Sequence, residues 1–108
     1  MLISLLAQLT RLHRQTLDLA GALARASRSE MPQLIDRRLA RMTYFEARGY
    51  LRVHAVPAVE AVLEADQHGL AIPAALRSVV RDQAVVMLIN RVLADRAMSP
   101  PTRVRRAA

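Results

Sequence analysis

Four arginines, Arg37, Arg41, Arg48 and Arg52, come nearest in type and spacing to a chemical purpose. At 100° per residue they fall within about 60° of arc if a single helix carries them all. Arg38 lies beside them, and Tyr44 is not far round the cylinder. A guanidinium is a planar fork of donors that suits phosphate or carboxylate, so such a ridge can follow a phosphate backbone. No base-reading side chains accompany it, and phosphate contacts position a protein without specifying sequence. The ridge therefore predicts non-specific nucleic-acid binding, with Arg103, Arg105 and Arg106 contributing from the C-terminal end. Two plainer outcomes compete: a solvated face, or ion pairing within the chain to Glu60, Glu64 and Asp66.

Glu60, Glu64 and His68 share one helical face at i, i+4 and i+8. The Glu-x-x-His spacing of di-iron bundles is missing, and no second helix complements them. A solvated acidic face is expected, with no metal. His13 and His54 are isolated, no serine has a nucleophile's setting, and no glycine-rich phosphate loop occurs. With no cysteine there is no disulfide, zinc–thiolate site or cysteine nucleophile. These residues point away from an enzyme and call for no cofactor.

The chain of 108 residues suits one domain, because smaller pieces would bury too little core. Its net charge of +7 comes from sixteen basic residues, all of them arginine. Arginine without lysine is also what GC-rich coding favours, so composition alone does not make the excess functional. The charge is uneven: +5 over residues 1–54, −1 over 55–98 and +3 over 99–108. Hydrophobic residues make up 53% of the chain, yet the aromatics are only Tyr44, Phe45 and Tyr50. A core of Leu, Val, Ile, Met and Ala suits closely packed helices.

Leu2, Leu5, Leu9, Leu12, Thr16, Leu19, Leu23 and Ala26 repeat at 3–4 spacing and predict a helix over 2–26. Such a stripe serves an intermolecular coiled coil or the inner face of a bundle. Three further apolar segments in the chain favour the second. The next helix should start between Ser29 and Pro32 and run either to Arg48-Gly49 or to about Val56. Tyr50, Val53 and Val56 also suit a strand over 50–56, but no second strand is visible to pair with it. Pro57 should start a short third helix ending near His68, with Gly69 after it, and Pro73 a fourth reaching about Ala97. Val85 to Ile89 is apolar all round, which marks the fourth helix as the buried, central one.

Gln83 and Asn90 lie seven residues apart on the face of that helix carrying Leu76, Val79 and Val86. An amide on an apolar seam can fix oligomeric state, or can sit at the rim of the core, bonded to water or a helix end. The expected fold is all-α: a small irregular four-helix bundle with a short third helix, with dimerisation open. Residues 1–98 form the helical domain and 99–108 a basic, disordered tail.

No apolar run approaches the ~20 residues that span a bilayer, and the opening residues lack the basic start of a signal peptide. A cytoplasmic protein without membrane contact is expected. The function expected first is a non-enzymatic interaction or oligomerisation module, its partner another chain or a second copy. An accessory nucleic-acid binder is the alternative.

Overall fold

The computed structural model describes residues 2–32, 35–65 and 70–96, all of it helix, turn or irregular chain with no strand among them. α1 runs from Leu2 to Ser27 and leads through a 3₁₀ turn at Arg28–Glu30 to a short α2, Ile35–Leu39. α3 spans Tyr44–Ala65. A second 3₁₀ turn, Ala74–Leu76, leads into α4, Arg77–Asp95. α1, α3 and α4 pack pairwise on one another. The thinnest dimension is 17 Å, the depth of two layers of helices spaced 8–10 Å apart.

The core is aliphatic and small-residue-rich, as the composition requires. Leu23 from α1, Leu39 from α2, Leu51 and Val59 from α3, and Val80, Leu88 and Val92 from α4 are the largest fully buried side chains. Alanines at 20, 47, 55 and 84 are completely buried and let backbones approach. Thr16 and Ser27 are buried on α1, each donating its hydroxyl to the carbonyl four residues earlier, Leu12 O at 2.9 Å and Leu23 O at 2.7 Å. Neither costs an unsatisfied polar group.

α2 begins at Ile35 rather than between Ser29 and Pro32, and α4 at Arg77 rather than Pro73; two further differences from the sequence reading reshape the fold. The short helix is the second rather than the third, because the segment read as one helix from Pro32 onward breaks at residues 40–43. A capping box causes the break. The Thr43 N–H donates to Glu46 Oε1 at 2.9 Å, and the Glu46 N–H donates to Thr43 Oγ1 at 3.3 Å. This satisfies two of the orphan donors at the start of α3 and fixes that start independently of α2.

The second difference is Pro57, which lies inside α3 rather than beginning a helix. It is exposed, as is Val53 (69%), whose carbonyl loses the i+4 donor. That carbonyl therefore has water on its side of the helix. On the other side Leu51, Ala55, Ala58, Val59 and Val62 bury a continuous face. Tertiary burial on both sides of the proline outweighs its local cost of about 3 kcal/mol. The strand reading of 50–56 ends here: these residues are helical.

The capping box predicts a pH dependence. Hydrogen bonding from the Thr43 backbone, and secondarily with its side chain, holds the Glu46 carboxyl below the ordinary glutamate range. A carboxyl depressed in the folded state adds stability that is complete above its unfolded pKa, about 4.3. That contribution is lost as pH falls through the lower folded value. Glu46→Gln should flatten this part of the stability–pH curve, and Thr43→Ala should cost about 1 kcal/mol at neutral pH. Urea unfolding at neutral pH and in acid checks it; an unchanged acid slope in Glu46→Gln would show that the carboxylate does not cap α3.

Candidate interaction surface

The buried face of α1 comprises Thr16, Ala20, Leu23, Ala24 and Ser27. Projected at 100° per residue, Leu2, Leu5, Leu6, Leu9 and Leu12 lie on that same face, one continuous stripe on an unbroken helix. The stripe changes environment midway. Every residue from 2 to 15 is exposed, with Leu2 at 69%, Leu9 at 53% and Leu12 still at 45%. The sequence favoured the inner face of a bundle for the whole stripe; the structure gives it that role only from Thr16 onward. Length is part of the reason, since α1 spans about 39 Å, α3 about 33 Å and α4 about 28 Å at ~1.5 Å per residue; the rest is placement, because α3 and α4 pack on the C-terminal half of α1, Thr16 to Ser27. Residues 2–15 form an arm with an apolar seam.

Along the arm, Leu2, Leu5, Leu9 and Leu12 take the two inner positions of a heptad, and Leu6 flanks them. Gln8, His13 and Gln15 occupy the remaining flanking positions, while Arg11 and Arg14 face away from the seam. Thr10 turns its hydroxyl back to Leu6 O at 2.9 Å. No acidic residue precedes Asp18.

The four ridge arginines do not share one helix. Arg37 lies in α2 and Arg41 in the turn after it, whereas Arg48 and Arg52 lie in α3 beyond the break. The 60° arc required an unbroken helix, and the capping box removes it. Arg48 is turned to α4: its Nη1 donates to Asn90 Oδ1 at 2.7 Å and to the Tyr44 hydroxyl at 3.2 Å. Its guanidinium carbon also stands 5.7 Å from the Tyr44 ring centroid, within cation–π range. Arg37, Arg38, Arg41 and Arg52 are exposed. The ion pair formed among the described residues is Arg81–Asp82 at 3.2 Å, so Glu60 and Glu64 do not answer the ridge. Arg103, Arg105 and Arg106, with the tail 99–108, lie outside the described residues, as do Asp66 and His68.

Gln83 and Asn90 are both exposed, on the side of α4 opposite Ala84, Leu88 and Val92. Val79 (51%) and Val86 (40%) accompany them on that outer face. Asn90 is the acceptor that ties α3 to α4 through Arg48, while Gln83 makes no such link. A groove of about 610 Å³ runs between α1 and α4, floored by Ala24, Met87 and Leu88 and rimmed by Arg25, Arg28 and Arg91. Among the described residues no cluster of His, Asp or Glu could hold a metal, and Glu60 and Glu64 are exposed. His13 is exposed, and His54 packs edge-on against Tyr50 with ring centroids 4.7 Å apart. No described helix is long and apolar enough to cross a membrane.

The arm is the feature that sequence reasoning assigned to the wrong neighbour. Length carried no signal of it, since the helices expected over 2–26 and from Pro73 to about Ala97 are equally long. No protein-family model matches the chain, and no curated protein or solved structure matches it.

Proposed function

We propose that this protein is a non-enzymatic helical interaction module that presents the arm of α1 to an apolar helical face. The observation that carries this reading is the seam of Leu2, Leu5, Leu9 and Leu12, exposed on the very face that α1 uses inside its own fold. Monomeric proteins rarely expose contiguous apolar patches beyond a few hundred Å², and larger ones mark interaction sites. The arm also gains nothing from packing. A helix of 14 residues is marginal in water by itself, and this one is extended only from the buried half of α1.

Magnitudes agree with a binding role. Leu2, Leu5, Leu6, Leu9 and Leu12 leave the equivalent of nearly three whole residues in water. Burying them contributes roughly 4–8 kcal/mol at 1.5–3 kcal/mol per large side chain. Association costs about 4–15 kcal/mol in lost freedom. Burying the partner's matching face roughly doubles the gain, which favours a reversible complex.

Removing residues 2–12 should change the unfolding free energy of the body by less than about 1 kcal/mol, since surface changes away from packed features have small effects. The same truncation should abolish any association that the chain shows in sedimentation experiments. A loss of several kcal/mol would make the arm part of the fold, and this reading would fail.

The second reading, phosphate binding, draws on the exposed Arg37, Arg38, Arg41 and Arg52. It has less support, because Arg48 is engaged with Asn90 and the ridge is divided. Nucleic-acid affinity that falls steeply with salt and weakens on Arg41→Gln with Arg52→Gln would favour it over the arm.

A further inference from the structure

We infer that the partner of the arm is a second copy of this chain, paired antiparallel about a two-fold axis level with Ala7; this rests on the arm being an interaction surface. The orientation follows from what occupies the stripe beyond the arm. From Thr16 onward that face is covered by the chain's own α3 and α4. A parallel partner would lie along the same lane, and its residues beyond 16 would run into that body. An antiparallel partner shares only residues 2–12 and carries its own body away from the other end. The steric conflict therefore excludes one orientation and leaves the other open.

The seam is self-complementary in that orientation. With the axis level with Ala7, Leu2 faces the partner's Leu12 and Leu5 faces the partner's Leu9, each pairing occurring twice. Every layer is leucine on leucine, which knobs-into-holes packing of two helices accommodates. No unsatisfied polar group enters it, since the Thr10 hydroxyl is bonded within its own helix. Arg11 and Arg14 point away from the seam, so the two basic arms meet without like charges in contact. The other candidate cover is the chain's own 99–108. It has two prolines, three arginines and no heptad of apolar residues, so it cannot supply a matching seam to a basic arm. A closed two-fold pairing is also the commonest form of self-association.

The chain contains no cysteine, which makes the orientation directly testable by disulfide formation. Leu2→Cys and Leu12→Cys chains are prepared separately and oxidised alone or as an equimolar mixture, while the unaltered chain is weighed by sedimentation equilibrium. Antiparallel pairing puts the two Cys at position 2 about 15 Å apart at ~1.5 Å per residue, far beyond disulfide reach. The mixture should therefore give a covalent dimer and each variant alone should give none. Leu9→Arg should abolish the dimer while leaving the unfolding midpoint of the body in place, because Leu9 is exposed. Cross-linking of Leu2→Cys by itself would overturn the inference in favour of parallel pairing. A chain that stays monomeric, or one whose arm binds anionic phospholipid vesicles instead of a second copy, would overturn it too. A monomeric chain would leave the arm a surface for a different helical partner; vesicle binding would overturn that reading as well, and so, independently, would unfolding of the body on truncating residues 2–12.

Discussion

Leu88→Ala is expected to lower stability by roughly 2–5 kcal/mol. Leu88 is only 1% exposed and sits in α4, the helix packed on both α1 and α3. Its neighbours on the same face, Ala84, Val85 and Val92, are also buried and are held by helices on two sides, so the cavity cannot collapse freely. A domain of this size loses about 4–8 °C per kcal/mol, which makes the change visible in a thermal scan. Val86→Ala is the control: two positions away but 40% exposed, it should cost well under half as much. Equal effects at the two positions would mean that α4 does not occupy the centre of the fold.

Pro57→Ala should act in the other direction. Alanine restores the N–H that bonds to the Val53 carbonyl and removes the ring's clash with that carbonyl, together worth up to about 3 kcal/mol. The unfolded chain regains freedom that proline had denied it, which takes back roughly 0.4–1 kcal/mol. A net gain of about 2 kcal/mol is expected, read as a higher urea midpoint at unchanged slope. Pro57 is exposed, so no core packing is lost. A destabilised variant would show that Val59 and Val62 need the backbone geometry the proline imposes.

Much of the fold could be read from local pattern, and the failures have physical causes. α1 and α4 were legible as helices because a long 3–4 repeat marks the first, and the long run after Pro73 without glycine or proline favours helix over the strand that its β-branched residues also suit. The division between α2 and α3 was harder, since no glycine or proline marks residues 40–43. The signal there is Thr43-x-x-Glu46, two polar residues whose meaning depends on their bonding to each other. Pro57 misled because its penalty is local, whereas the burial of Ala55, Ala58 and Val59 that overrides it is tertiary. Gln83 and Asn90 were read on one face with Val79 and Val86, and the four do share a face of α4, the exposed one. The arm was the least legible feature. Leu9 and Leu23 are the same residue type in the same register, and what separates them is how far α3 and α4 reach.

The confinement of all three aromatic residues to α3 decides what a spectroscopist will see. Without tryptophan, intrinsic emission comes from Tyr44 and Tyr50, both packed against the core. Emission therefore follows the body and is blind to residues 2–15. Circular dichroism counts every helical peptide, the arm included. On dilution or gentle warming the two signals should separate, with ellipticity falling while tyrosine emission holds. That divergence is usually taken as a sign of a folding intermediate. In this chain it would be the fraying of an uncovered helix from a body that still unfolds in a single step.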